Sequence, residues 1–182
     1  MKSIGIDIGG TRIKAVLIDE AGTILFQAYQ PTIDNADMSW RQTVMEIALD
    51  IKNKFDEEDL VLGISAPGLP DGNNTSIACM PGRMQGLENF NWEENLHVPA
   101  CVLNDAVAAM VAEARFGAAR NKRHAVLVTL GTGVGGAILI DGKPYQGAFS
   151  KAGHIGHMVI DDEGDVDVTG MPIQPTGARG MR

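Results

Sequence analysis

Two glycine-rich threonine turns constrain this chain more than any other feature. Asp7-Ile8-Gly9-Gly10-Thr11 stands near the start, and Leu130-Gly131-Thr132-Gly133-Val134-Gly135-Gly136 stands in the second half. Each is preceded and followed by an apolar run, so the local plan is strand, tight turn, strand, twice over. Such turns expose backbone N–H groups and a hydroxyl, and phosphate is the ligand that best suits a nest of donors. Two of them suggest one polyphosphate gripped from two sides. The second turn also fits G-x-G-x-x-G through Gly131, Gly133 and Gly136, but a dinucleotide fingerprint must open a helix. Here it opens Ala137-Ile138-Leu139-Ile140, which reads as a strand before the Asp141-Gly142 turn.

The flanking pattern places the first turn in an antiparallel meander. Ile4, Ile6 and Ile8 alternate toward a core and leave Asp7 on the opposite face beside the turn. Strands over 13–18 and 23–29 follow, joined by a turn at Asp19-Glu20-Ala21-Gly22. Ser39-Trp40-Arg41-Gln42 has the form of a capping box. Behind it Trp40, Val44, Ile47, Ile51 and Phe55 recur at helical spacing, predicting an amphipathic helix over 40–55. Residues 60–65 read as a short strand closed by Ala66-Pro67-Gly68, and 69–95 as a long loop region. Another short strand at 100–103 runs into Asn104-Asp105 and a helix with Val107, Met110, Val111 and Ala114 on its apolar face and Gly117 as its stop. Strands at 125–130 and 136–140 flank the second turn. Asp165 to Arg182 holds no run long enough for either element.

Composition narrows the function classes. The net charge of −8 makes nucleic acid or an anionic membrane a poor partner, since both need a basic footprint. There is no signal-peptide pattern and no long apolar span, which points to the cytoplasm. Cys79 and Cys101 read as buried small apolar groups rather than a disulfide framework. Trp40 and Trp92 read as core or interface residues rather than ligand-stacking platforms.

Asp105 is the leading candidate for chemistry. Asn104 and Asp105 are both good helix caps, and the helix N-terminus favours negative charge there. A carboxylate so placed can also orient a hydroxyl and take its proton as the oxygen attacks phosphorus. Asp7 reads either as a solvated strand-end aspartate or as a contact to Mg²⁺ through water, because Mg²⁺ keeps several waters and takes one or two carboxylates plus phosphate oxygens.

Taken together, the motifs resemble the ROK family of sugar kinases and repressors, within the actin/hexokinase superfamily. Asp7-Ile8-Gly9-Gly10-Thr11 with Ile13-Lys14 resembles the first phosphate motif, Leu103-Asn104-Asp105-Ala106 the catalytic segment, Gly131 to Gly136 the second phosphate motif, and Gly153-His154-Ile155-Gly156-His157-Met158 the start of the family signature. The resemblance runs from residue 1 to about 172. It implies an α/β fold: a ribonuclease-H-like lobe with a mixed sheet and flanking helices over 1–118, and the incomplete beginning of a second lobe over 119–182. It implies an ATP- and Mg²⁺-dependent sugar kinase acting on a hexose or amino sugar. The catalytic base would be Asp105. The ATP phosphates would be held by Asp7, Gly9, Gly10, Thr11, Lys14, Gly131, Thr132 and Gly133, and the sugar by Gly68, Asn104, Asp105, His154 and His157. It leaves room for a homodimer.

Two departures from the family pattern stand out. His154 occupies the place of a glutamate that contacts sugar hydroxyls, and a neutral imidazole accepts through only one nitrogen. No cysteine follows Cys101, so the family's thiolate knuckle is missing and no zinc is expected. A sugar-sensing repressor is the rival reading. Met1 stands two residues before the first strand, which leaves no room for a helix-turn-helix, and the acidic balance argues against operator binding. A non-catalytic sugar-binding lobe is the third.

Overall fold

The computed structural model describes residues 2–55, 60–131 and 133–158. Thr132 and the Asp165 to Arg182 tail lie outside the described residues. The chain divides into two compact units, Met1–Asp105 and Ala106–Arg182.

The first unit is built on the expected meander. Strands β1 (Lys2–Ile8), β2 (Arg12–Ile18) and β3 (Ile24–Pro31) pair antiparallel. β4 (Leu60–Ala66) then lies parallel to β1, and β7 (Ala100–Asn104) parallel to β4. The sheet is therefore mixed, in the order β3-β2-β1-β4-β7. Because side chains alternate across a strand, Ile4, Ile6, Ile8, Leu62, Ile64 and Val102 all fall on one face and are buried. Helix α1 (Ser39–Phe55) covers that face with Trp40, Val44, Ile47, Ala48 and Ile51. The same alternation leaves Gly5, Asp7, Gly63, Ser65 and Cys101 on the other face.

Three expectations need correction here. The two cysteines are exposed free thiols rather than buried groups. For Cys101 the reason is parity: Val102 takes the core position, so its neighbour cannot. The stretch after Gly68 is not one long loop. It contains a small hairpin, β5 (Leu69–Pro70) with β6 (Ile77–Cys79), and a short helix α2 (Trp92–Leu96), all too brief to show a period. Nor does α1 begin with a capping box. The Ser39 N–H donates to Asn35 Oδ1 at 3.1 Å, and the Gln42 amide turns forward to Glu46 at 2.8 Å. Both tryptophans are fully buried, 6.2 Å apart, as core residues of the α1–α2 packing.

Helix α3 (Asp105–Phe116) starts directly where β7 ends. It buries Ala106, Val107 and Met110, while Val111 is exposed. The second unit contains β8 (Ala125–Leu130), β9 (Val134–Ile140) and β10 (Lys143–Pro144) in one antiparallel sheet, then a single 3₁₀ turn at Ile155–His157. β9 begins two residues earlier than its apolar run suggests. Among the described residues no helix is long and apolar enough to cross a membrane.

Candidate active site

The first glycine turn is the three-residue connection Gly9-Gly10-Thr11 between β1 and β2. Gly9 N–H donates to Arg12 O at 3.1 Å and closes the turn. Its carbonyl accepts from the Thr32 hydroxyl at 2.6 Å, and the Thr11 carbonyl accepts from the Thr32 N–H at 3.0 Å. Thr32, just past β3, thus ties off two acceptors of the turn. Among the described residues neither the Gly10 N–H nor the Thr11 N–H donates to a protein acceptor. What the turn keeps available includes these two N–H donors, and paired backbone donors suit an anion. Gly9, expected at the phosphates, uses its N–H within the turn. A side chain there would also collide with the backbone, since a Cβ would stand 2.8 Å from Arg12 O.

Asp7 sits one residue before Ile8 on the open face of the sheet. The parallel register places it opposite Ser65 and the antiparallel register opposite Lys14. Both partners reach it: Ser65 Oγ donates to Oδ1 at 2.8 Å, and Lys14 Nζ stands 3.3 Å from Oδ2. Lys14 therefore engages Asp7 rather than standing clear of it. The carboxylate is 40% exposed and the ammonium 54% exposed, so water reaches both and the pair itself is weak. A carboxylate that is wet and oriented suits a hydrated Mg²⁺ better than a dehydrated one.

Asn104 and Gly68 are brought together. Buried Asn104 donates from Nδ2 to Gly68 O at 3.0 Å, linking the end of β7 to the turn after β4. Gly68 has φ +99°, and a Cβ there would meet Cys79 O at 2.6 Å and Ile77 Cγ2 at 2.8 Å. Only glycine lets the carbonyl face Asn104 in this way. Asp105 follows as the first residue of α3 and is exposed.

In the second unit, Gly131 N–H donates to Gly133 O at 2.9 Å across the turn. A Cβ on Gly131 would meet nothing, so packing does not demand glycine there. The glycines just beyond it behave differently. A Cβ on Gly136 would lie 2.6 Å from Gly153 O, one on Gly153 2.9 Å from Ala137 Cα, and one on Gly156 would collide with Val134 O. β9 and the 153–157 segment therefore pack backbone to backbone. That seam carries the two histidines, whose rings stack with centroids 6.2 Å apart and planes 17° from parallel. Among the described residues no group of three His, Cys, Asp or Glu side chains converges to hold a metal ion.

The ROK family model matches residues 3–171. The chain belongs to the ROK family. A glucokinase from Streptomyces coelicolor is 33% identical over 167 residues, covering 89% of this chain and 51% of that protein. A xylose repressor from Bacillus subtilis is 29% identical over 166 residues, covering 89% of this chain and 43% of that one. A ROK glucokinase from Streptomyces griseus, solved with glucose and AMPPNP, superposes with a TM-score of 0.74 at 30% identity, over 96% of this chain and 55% of that one. This ROK chain spans about half the length of the curated relatives it matches. Its α/β architecture with a mixed sheet is that of the family's sugar kinases.

Sequence reasoning missed three contributors to the site. Thr32 gave no signal, because its partners lie far back in the chain. Ser65 was legible as a strand end, but only the parallel register puts it on Asp7. Arg83, whose guanidinium lies against Gly10, is carried by a loop whose elements are too short to show a period.

Proposed function

We propose that the complete polypeptide is an ATP-dependent sugar kinase acting on a hexose or amino-sugar hydroxyl. The observation that carries this reading is the first turn, where Thr32 ties off the Gly9 and Thr11 carbonyls while the Gly10 and Thr11 N–H groups stay available beside Asp7. The family and the 33% identity to a glucokinase support it.

In this reading Asp105 receives the proton of the acceptor hydroxyl while the sugar oxygen forms its bond to the γ-phosphorus. The bond from that phosphorus to the β,γ-bridging oxygen breaks, and ADP leaves with the electron pair. Asn104, fixed by Gly68, orients the acceptor beside Asp105, and His154 and His157 meet further sugar hydroxyls. Gly10 and Thr11 donate to the phosphates, and Gly131, Thr132 and Gly133 are assigned to the phosphates as well. Asp7 would hold Mg²⁺ through water, with Ser65 orienting the carboxylate. When bound, the ion supplies charge neutralisation at the phosphate oxygens.

The test is a coupled assay of ADP release from the complete protein with Mg-ATP and a panel of hexoses and N-acetyl amino sugars. Asp105→Asn should lower kcat by at least about a thousandfold, as expected when base and alignment are lost together, with sugar binding retained. Unchanged turnover in that variant eliminates the role. The 29% identity to a xylose repressor favours a sugar-sensing regulator as the second reading. It would show sugar-dependent release from DNA and no ADP production with any sugar.

A further inference from the structure

Arg83 stands out once the first turn is described. It lies at the tip of the loop between Met80 and Glu88, and its guanidinium rests directly on Gly10: a Cβ on that glycine would collide with it. The loop is fastened at several points. Glu88 accepts from Met80 N–H at 2.5 Å, Asp34 accepts from Met84 N–H at 3.1 Å, and the Arg41 guanidinium donates to Gly86 O. Gly82, Met84 and Gly86 all take left-handed backbone, and Met84 does so with its side chain buried. A non-glycine residue held there marks a loop whose shape is imposed by its surroundings.

The chemistry at the tip differs from that of its supports. Asp34, Glu88 and Arg41 are all engaged in holding the loop. Arg83 is exposed, and among the described residues no carboxylate pairs with it. The loop also borders a cavity of about 520 Å³, which Arg83, Asn35 and Gln85 line together with Asp34 and Glu88. A planar fork of donors beside two outward N–H groups matches the oxygens of a phosphoryl group.

We infer that Arg83 binds the phosphoryl group held at the first glycine turn, adding a guanidinium to the Gly10 and Thr11 N–H donors. The inference rests on the proposed kinase reading for its ligand, and it names a residue that reading did not include. Arg83 acts by neutralising charge on phosphoryl oxygens, not by moving a proton.

The experiment measures Mg-tripolyphosphate binding by calorimetry on the complete protein, for Arg83→Ala, Arg83→Lys and the exposed control Arg120→Ala. Arg83→Ala should weaken binding at least about tenfold, Arg83→Lys should recover part of the loss because it keeps charge without the fork, and Arg120→Ala should match wild type. In the coupled assay Arg83→Ala should lower kcat by about a hundredfold while the sugar KM stays within about twofold. Equal tripolyphosphate affinity in Arg83→Ala and wild type overturns the assignment, whatever the variant does to stability. An equal loss in Arg120→Ala overturns it too, because net charge alone would then explain the effect. The calorimetric arm needs no sugar turnover. Absence of any sugar substrate would therefore fell the kinase reading and leave the Arg83 result legible, whereas unchanged anion affinity in an active kinase would fell Arg83 alone.

Discussion

Replacing Gly68 by alanine tests the geometry that joins β4 to β7. Two independent costs meet at this position. The backbone sits at φ +99°, where an L side chain is strained by about 1–3 kcal/mol. The new Cβ would stand 2.6 Å from Cys79 O, 2.8 Å from Ile77 Cγ2 and 3.0 Å from Met80 Cβ, and overpacking of this kind costs about 1–3 kcal/mol more. Two other glycines of the same unit separate the terms. Gly82 has φ +80° with open space around it, and Gly72 has open space without a left-handed backbone. Alanine should therefore cost nothing measurable at Gly72, about 1–3 kcal/mol at Gly82 and about 2–6 kcal/mol at Gly68. For a chain of this length each kcal/mol moves Tm by about 2–4 °C. Urea unfolding followed by tryptophan fluorescence is the suitable assay, because the chain has only two tryptophans and Trp40 and Trp92 are both buried in the first unit. The ranking is the decisive result. If Gly68→Ala is no more destabilising than Gly82→Ala, the collision with Cys79 O does not exist and the Asn104 anchor has been misread.

Two further perturbations test the support of the first turn and the response of the fold to pH. Thr32→Val keeps the shape but removes the hydroxyl that donates to Gly9 O; stability should fall by about 0.5–1.5 kcal/mol in urea, and the KM for ATP should rise while the sugar KM does not. Asp71 reports on pH. Burial alone would raise its pKa, but hydrogen bonds from the Thr75 hydroxyl and from the Thr75, Ser76 and Asn73 backbone outweigh that and lower it below 3.8. A carboxyl depressed on folding stabilises the protein above its unfolded pKa and loses that contribution as pH falls through the folded value. Asp71→Asn should therefore be less stable than wild type at neutral pH, with the gap closing below about pH 4 in urea melts run across pH.

The periodic elements could be read from the chain because their signals are local. Ile4, Ile6 and Ile8 alternate, Trp40 to Phe55 repeat at helical spacing, and the run from Ala100 into Asn104-Asp105 marks a strand ending at a helix. The contacts that define the site are not local. Ser65 reaches Asp7 through a parallel register, Thr32 reaches Gly9 across the width of β2, and Arg83 reaches Gly10 from a loop whose own elements are too short to show a period. The misplaced cysteines are a different failure. Applying the parity of Val102 one residue back would have put Cys101 outside. The capping pattern at Ser39 was outcompeted by Asn35, four residues earlier, which has the same kind of acceptor in a better position.

The seam between β9 and the histidine-bearing turn has a consequence for specificity. The imidazoles of His154 and His157 are positioned by Gly136, Gly153 and Gly156, three residues with nothing to offer a ligand themselves. A single methyl anywhere along that line would lift the segment and tilt both rings at once. In the proposed kinase, where both rings meet sugar hydroxyls, selectivity toward one carbohydrate over another would thus drift through changes at silent sites, and a survey confined to polar side chains would overlook where it is adjusted.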